Sequence, residues 1–101
     1  MATFKELQRQ VLAYDDKMGW KDKSSHVVLH LQEELGEIAR EVMRDEGYKK
    51  EEMNLSGLGQ EITDILYLTM KLANQYGFDL DSEWERMWTR YKTKKSRIED
   101  G

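Results

Sequence analysis

Apolar residues in this chain recur every three or four positions almost from end to end, and no useful length of it alternates with the period of two that a strand needs. That pattern, in 101 residues without a proline, limits the fold to helices packed on helices. Glycines divide it. "TFKE" opens a first helix, with Thr3 as N-cap and Glu6 completing a capping box; Phe4, Leu7, Val11, Leu12 and Met18 form its apolar face, and Gly19 ends it. "GWKDKSS" connects to a second helix, capped by Ser24 or Ser25, expected from about His26 to Asp45 and stopped at Gly47. "GYKKEEMNLSG" reads as a loop. A third helix is expected from about Leu58 to Tyr76, closed by Gly77. In "FDLDSEWE", Ser82 and Glu85 suggest a capping box for a fourth, running to about Lys95. The expected fold is all-α, a four-helix-bundle-like arrangement in one domain spanning 1–101, with short connections that favour antiparallel neighbours.

Composition narrows the chemistry. There is no cysteine, so disulfides, thiolate metal sites and thiol nucleophiles are excluded. No apolar run reaches the roughly 20 residues of a membrane span, and no signal-peptide pattern opens the chain, so a cytoplasmic protein is expected. A net charge of −4 disfavours a nucleic-acid polymer as partner. The charge is uneven: Arg86 to Arg97 holds only basic charges, while acids concentrate mid-chain. Four helices in so short a chain bury little each, and Trp84, Met87, Trp88 and Tyr91 crowd the last. A second copy of the chain is expected to cover part of that surface, as a homodimer or homotetramer.

The stretch "LQEELGEIARE" carries Glu33, Glu34, Glu37 and Glu41 with Arg40 as its single basic residue. At about 100° per residue, Val27, Val28, Leu31, Leu35, Ile38 and Val42 share a core face. Glu34 lies at the edge of that face, Glu37 follows on the same flank, Glu41 reads as solvated, and Glu33 lies opposite the core. Glu34 and Glu37 are i and i+3, neighbours at about 5–6 Å between Cβ atoms. "QEITDILYL" repeats the device: Leu58, Ile62, Ile65, Leu66, Leu72 and Ala73 form a core face, with Glu61 and Asp64 along one flank beside Leu68. Four carboxylates converging at the edge of a bundle repel one another and raise each other's pKa. A hard divalent cation relieves that repulsion, and all-oxygen ligation suits Mg²⁺ or Mn²⁺.

These residues resemble the MazG-like all-α nucleotide pyrophosphohydrolases, whose hallmark is EExxE followed, after a spacer, by ExxD. "EELGE" supplies Glu33, Glu34 and Glu37; "EITD" supplies Glu61 and Asp64. The likeness extends through "EELGEIAREV" and "EITDILYLTMKLANQYGFDL", most of residues 25–80. The resemblance implies Glu34, Glu37, Glu61 and Asp64 as magnesium ligands, with Glu33 or Glu34 serving the attacking water. It implies Asn74 as a polar residue near the nucleotide, with its contact made across a subunit boundary, and Trp20 as an aromatic against the base. At the end of the fourth helix the likeness weakens: "RYKTKKSR" has lysine where relatives carry asparagine, leaving Arg90 and Lys94, at i and i+4, as candidate phosphate contacts beside Lys92 and Lys95. Lys71 reads as a charge partner, and His26 and His30 as structural or supporting residues. The implied reaction is Mg²⁺-dependent hydrolysis of a nucleoside triphosphate, canonical or modified, to monophosphate and pyrophosphate. Phosphoribosyl-ATP pyrophosphohydrolysis and a non-catalytic interaction module are the alternatives. A di-metal redox bundle is disfavoured, because no histidine follows an acid at i+3.

Overall fold

The computed structural model describes residues 2–48 and 51–100, with side chains described as far as Lys94. It comprises four helices, α1 (Phe4–Met18), α2 (Ser24–Asp45), α3 (Leu55–Gln75) and α4 (Leu80–Asp100), with no strand among the described residues. None of these helices is long and apolar enough to cross a membrane.

The ends agree with expectation at α1 and at the glycines that follow α2 and α3, Gly47 at φ 85° and Gly77 at φ 73°, and depart from it at the other N-termini. Thr3 Oγ1 accepts the Glu6 N–H at 3.1 Å, and Gly19 ends the helix at φ 71°, a conformation that costs a glycine little. α2 is capped by neither serine. Its N-cap is Lys23, which makes no side-chain cap bond, while Ser24 is already helical and donates its hydroxyl to Gln75 Oε1 at 2.7 Å. α3 starts three residues before its expected position, inside the stretch read as loop (whose residues 49–50 lie outside the described residues). Asn54 supplies the cap, its Oδ1 accepting the Gly57 N–H at 3.1 Å. At α4 the Ser82–Glu85 box is replaced by Asp79. Its Oδ1 accepts the Asp81 N–H at 3.0 Å and its backbone carbonyl the Glu83 N–H at 3.0 Å, so the helix begins earlier than Ser82 implies. The helix also runs on past Lys95 to Asp100.

α2 and α3 pack antiparallel as the main pair. Glu41 Oε2 accepts the Asn54 N–H at 2.8 Å where α2 ends and α3 begins, and Ser24 meets Gln75 at the opposite ends. The seam differs from the expected core faces. On α2 the buried or half-buried stripe is Val27, Leu31, Glu34, Ile38 and Glu41; on α3 it is Leu58, Glu61, Ile65, Leu68 and Leu72. Both are i, i+3/i+4, i+7 stripes of the kind two packed helices share, but three of their members are glutamates. The remaining apolar positions, Val28, Leu35 and Val42 on α2 and Ile62 and Leu66 on α3, are exposed, Leu35 by 60%. A wheel built on hydrophobicity alone centres between these two stripes, which is why it put the acids at the edge. Glu41, read as solvated, is buried.

α1 lies against α3 through Val11, Gln8 and Asp15. Gln8 Nε2 donates to Asn74 Oδ1 at 3.1 Å and to the Phe78 carbonyl at 2.8 Å, and its Oε1 accepts the Leu80 N–H at 3.0 Å. α4 meets α1 at Phe4 and Trp84, whose ring centroids are 5.4 Å apart, and Asp81 accepts the Phe4 and Lys5 N–H groups. Leu12 and Met18, expected in the core, are exposed. The radius of gyration is 17.2 Å, against about 13 Å for a compact chain of this length. Among the described residues no large side chain is fully buried.

Candidate metal and nucleotide site

The α2–α3 seam brings Glu34, Glu37 and Glu41 to bear on Glu61. Burial raises the pKa of Glu61, and the charges of Glu37, Glu41 and Glu34 raise it further, opposed by Arg40. Its Oε2 is buried and has no hydrogen-bond partner among the described residues. A carboxylate oxygen in that state needs a proton or a cation. Glu34 is largely covered and takes its contact from His30, Nε2 to Oε1 at 3.3 Å, which holds the carboxylate on the α3 side of α2. Glu37 and Glu33 are exposed. Glu41 is already satisfied by the Asn54 N–H and by an ion pair with Arg44, so it contributes field but no free oxygen. Among the described residues no three His, Asp or Glu side chains surround a common point as they stand. The donor set nonetheless fits a hard cation: all oxygen, repelling one another, with one buried oxygen unpaired.

Asp64 faces away from that cluster by one turn, into an adjoining pocket of about 440 Å³. Trp20, Asp22, His26, His30, Tyr67 and Lys71 also line it, with Val27 and Leu68 as its apolar floor. Trp20, expected as an aromatic against the base, lines this pocket, its ring edge-on to Tyr14 with centroids 5.5 Å apart. Acidic seam and pocket share His30 and Asp64 as neighbours, giving a polar, charged end and an aromatic end within one cleft.

The other expected substrate contacts lie elsewhere in the chain. Asn74 is held on the α1 side, its Nδ2 donating to the Gln8 carbonyl at 3.0 Å while its Oδ1 accepts from Gln8. Arg90 borders an apolar groove with Phe4, Trp84 and Met87, and Lys94 is exposed farther along the same helix. The side chain of Lys95 lies outside the described residues. Within one chain, none of these three reaches the acidic seam.

Sequence reasoning passed over Asp15, Asp22 and Tyr67 and gave Lys71 a minor role. Lys71 is buried, pairs with Asp22, stands 3.7 Å from Asp15 Oδ1 and lies 5.4 Å from the Trp20 ring centroid. The Tyr67 hydroxyl donates to Asp15; burial and that bond together push its pKa well above the usual phenol value. The available signal was an acid (Asp15) four residues past Val11 on an apolar face and a lysine among Leu68, Leu72 and Ala73, charges in positions where an isolated helix would place hydrocarbon.

The family model for the MazG nucleotide pyrophosphohydrolase domain matches residues 23–98. The chain is also 33% identical over 107 residues to the uncharacterized protein YpjD of Bacillus subtilis (strain 168), covering 98% of this chain and 96% of that protein. No solved structure matches it. The acidic seam of α2 and α3 falls inside the matched span, and the chain belongs to the MazG nucleotide pyrophosphohydrolase family.

Proposed function

We propose that residues 1–101 form one domain that hydrolyses nucleoside triphosphates, canonical or modified, to the monophosphate and pyrophosphate in the cytoplasm. The observation that carries this reading is the buried Oε2 of Glu61, without a partner among the described residues and under the charge of Glu34 and Glu37, inside the span the family matches. Glu34, Glu37, Glu61 and Asp64 would hold Mg²⁺, with Mn²⁺ as substitute. Bound there, such a cation neutralises charge on the phosphate oxygens and lowers the pKa of a coordinated water.

The chain's own residues supply the rest. Glu34, oriented by His30, or Glu33 on the exposed side takes the proton of the attacking water. Val27 and Leu68 keep the inner wall dry, which strengthens the field of the carboxylates. Trp20 receives the base in the pocket beside Asp64. A second copy of the chain covers the exposed apolar stripes, giving a homodimer or homotetramer. In that assembly Asn74, Arg90 and Lys94 meet nucleotide across the subunit boundary.

The test is an assay of pyrophosphate release from a panel of canonical and modified triphosphates with Mg²⁺. Monophosphate plus pyrophosphate is the expected product pair, abolished by Asp64→Asn. No turnover of any nucleotide by a folded protein would overturn the reading.

A further inference from the structure

We infer that Asp22, fixed in place by Lys71, is the specificity-determining group of the pocket and selects bases that carry an exocyclic amino group. This deepens the nucleotide reading above and rests on the pocket being the base site.

Asp22 lies on the connector between α1 and α2, a segment that would be free to move were it not tied to α3 at several points. The Lys71 ammonium, its side chain only 7% exposed, pairs with Asp22 Oδ2. Gln75 Nε2 donates to the Asp22 carbonyl at 2.9 Å, and Ser24 holds Gln75 from the other side at 2.7 Å. Lys71 is itself immobilised by Asp15, which Tyr67 in turn holds. A buried ammonium between two carboxylates is expensive to arrange and is retained only where its partners hold it. Here the result is a carboxylate held at the pocket mouth with half its surface open.

Besides the indole of Trp20 the pocket has six polar side chains, and most are committed. Tyr67 donates to Asp15, His30 contacts Glu34, Lys71 faces two carboxylates, and Asp64 is assigned to the cation by the function proposed above. Asp22 Oδ1 and His26 remain to meet a ligand: Oδ1 has no hydrogen bond among the described residues. An ionised carboxylate only accepts hydrogen bonds. It therefore rewards a base that turns an N–H donor toward it, as the amino group of cytosine or adenine does. It repels the carbonyl oxygen that uracil and thymine present at the corresponding position. With Asp22 open to water on one side, the discrimination is expected to be about tenfold, the range of one charge-assisted hydrogen bond.

Calorimetric titration of the full chain with dCMP and with dUMP tests this without a catalytic step. The two differ at the exocyclic group in question and at the adjacent ring nitrogen, which carries hydrogen only in uracil. The expected result is dCMP binding about tenfold more tightly in the parent protein, the preference falling to within about twofold in Asp22→Asn, whose amide can donate as well as accept. Lys71→Met, which leaves the carboxylate in place but unanchored, should also erode the preference, while Mg²⁺ binding in both variants stays at the parent level. Equal affinities in the parent, an unchanged ratio in Asp22→Asn, or binding of neither nucleotide would each overturn the inference. Hydrolysis is scored separately: selective binding without turnover removes the proposed reaction and keeps Asp22, whereas turnover without base preference does the reverse.

Discussion

Glu41, near the end of α2, accepts the backbone N–H of Asn54, the residue that caps α3, at 2.8 Å, and its other oxygen pairs with Arg44. One buried carboxylate thus links the two helices that form the acidic seam at the point where the chain turns between them. Removing it leaves a part-buried N–H without its acceptor and the Arg44 guanidinium with only the more distant Glu51, at 3.9 Å. Glu41→Ala should cost about 2–3 kcal/mol, the range for a hydrogen bond to a charged group, measured by urea denaturation. Because both oxygens are in use, Glu41→Gln should leave the affinity for Mg²⁺ within about twofold of the parent, far less than one charge-assisted contact would contribute. A large loss of metal affinity in Glu41→Gln would reassign this residue to the ligand set.

Glu61 predicts a pH dependence of the opposite sign to that of a salt-bridged acid. Burial and the neighbouring glutamates raise its pKa in the folded chain above the unfolded value. The folded state therefore binds the proton more tightly, and the stability linked to it is complete below the ordinary glutamate range. It is lost as pH rises through the raised folded value. Without divalent cation, the melting temperature should fall as pH goes from mildly acidic to neutral. Glu61→Gln should flatten that slope and melt higher than the parent at neutral pH. Millimolar Mg²⁺ should raise the parent's melting temperature at neutral pH and leave Glu61→Gln unmoved, both followed by scanning fluorimetry across pH.

How much of this was legible beforehand depended on which force decided each feature. Local hydrogen bonding placed Thr3, Gly19 and the number of helices, and these were readable. The serine caps expected for α2 and α4 did not form: Lys23 stands at the N-cap of α2 while Ser24 bonds Gln75, and Asp79 takes the capping role at α4, choices that tertiary contacts make. Glu34 and Glu61 could be paired by spacing and by family likeness. That Glu41 is buried, or that Lys71 anchors the connector, depends on the rotation of α2 against α3. A hydrophobic wheel cannot find that rotation when acids occupy the seam and hydrocarbon such as Leu35 faces outward.

Gln8 and Asn74 give a separable test of a residue with two readings. Asn74 was expected near nucleotide, yet within the chain it exchanges two hydrogen bonds with Gln8, one to the side chain at 3.1 Å and one to the backbone at 3.0 Å. If that network is its main work, Asn74→Ala should lower stability by about 1–2 kcal/mol, at about 1 kcal/mol per bond. It should couple with Gln8→Ala in a double-mutant cycle and leave the KM for nucleotide near the parent value. A raised KM with unchanged stability would instead support contact across a subunit boundary.

Gly57 tests the cap that the sequence concealed. A Cβ at this position would come 2.5 Å from Asn54 Nδ2 and 2.9 Å from its Cγ. Elsewhere in a helix glycine to alanine stabilises, but here it must push the cap side chain off the Gly57 N–H. Gly57→Ala should therefore lose about 1 kcal/mol, the usual worth of an Asn cap. In an Asn54→Gly background, where there is no side chain to strike, the same substitution should become neutral or mildly stabilising by chemical denaturation.

Trp88 offers the clearest handle on assembly. On α4 it is 47% exposed, and its aromatic partners among the described residues lie on its own helix, edge-on to Trp84 at 6.0 Å and to Tyr91 at 5.7 Å between centroids. Trp84, by contrast, also packs on Phe4, so changing it would disturb the α1–α4 contact as well. A contiguous aromatic stripe of this kind left half-exposed marks an interaction surface, and Trp84, Trp88 and Tyr91 are all in that state. Light scattering should give the parent a mass of at least twice 12.0 kDa. Trp88→Glu should shift it to the single-chain mass with the helical circular dichroism largely retained, because the ring's aromatic partners among the described residues lie on α4 itself. A single-chain mass for the parent at micromolar concentration would remove the covering copy, and with it the cross-boundary roles of Arg90 and Lys94.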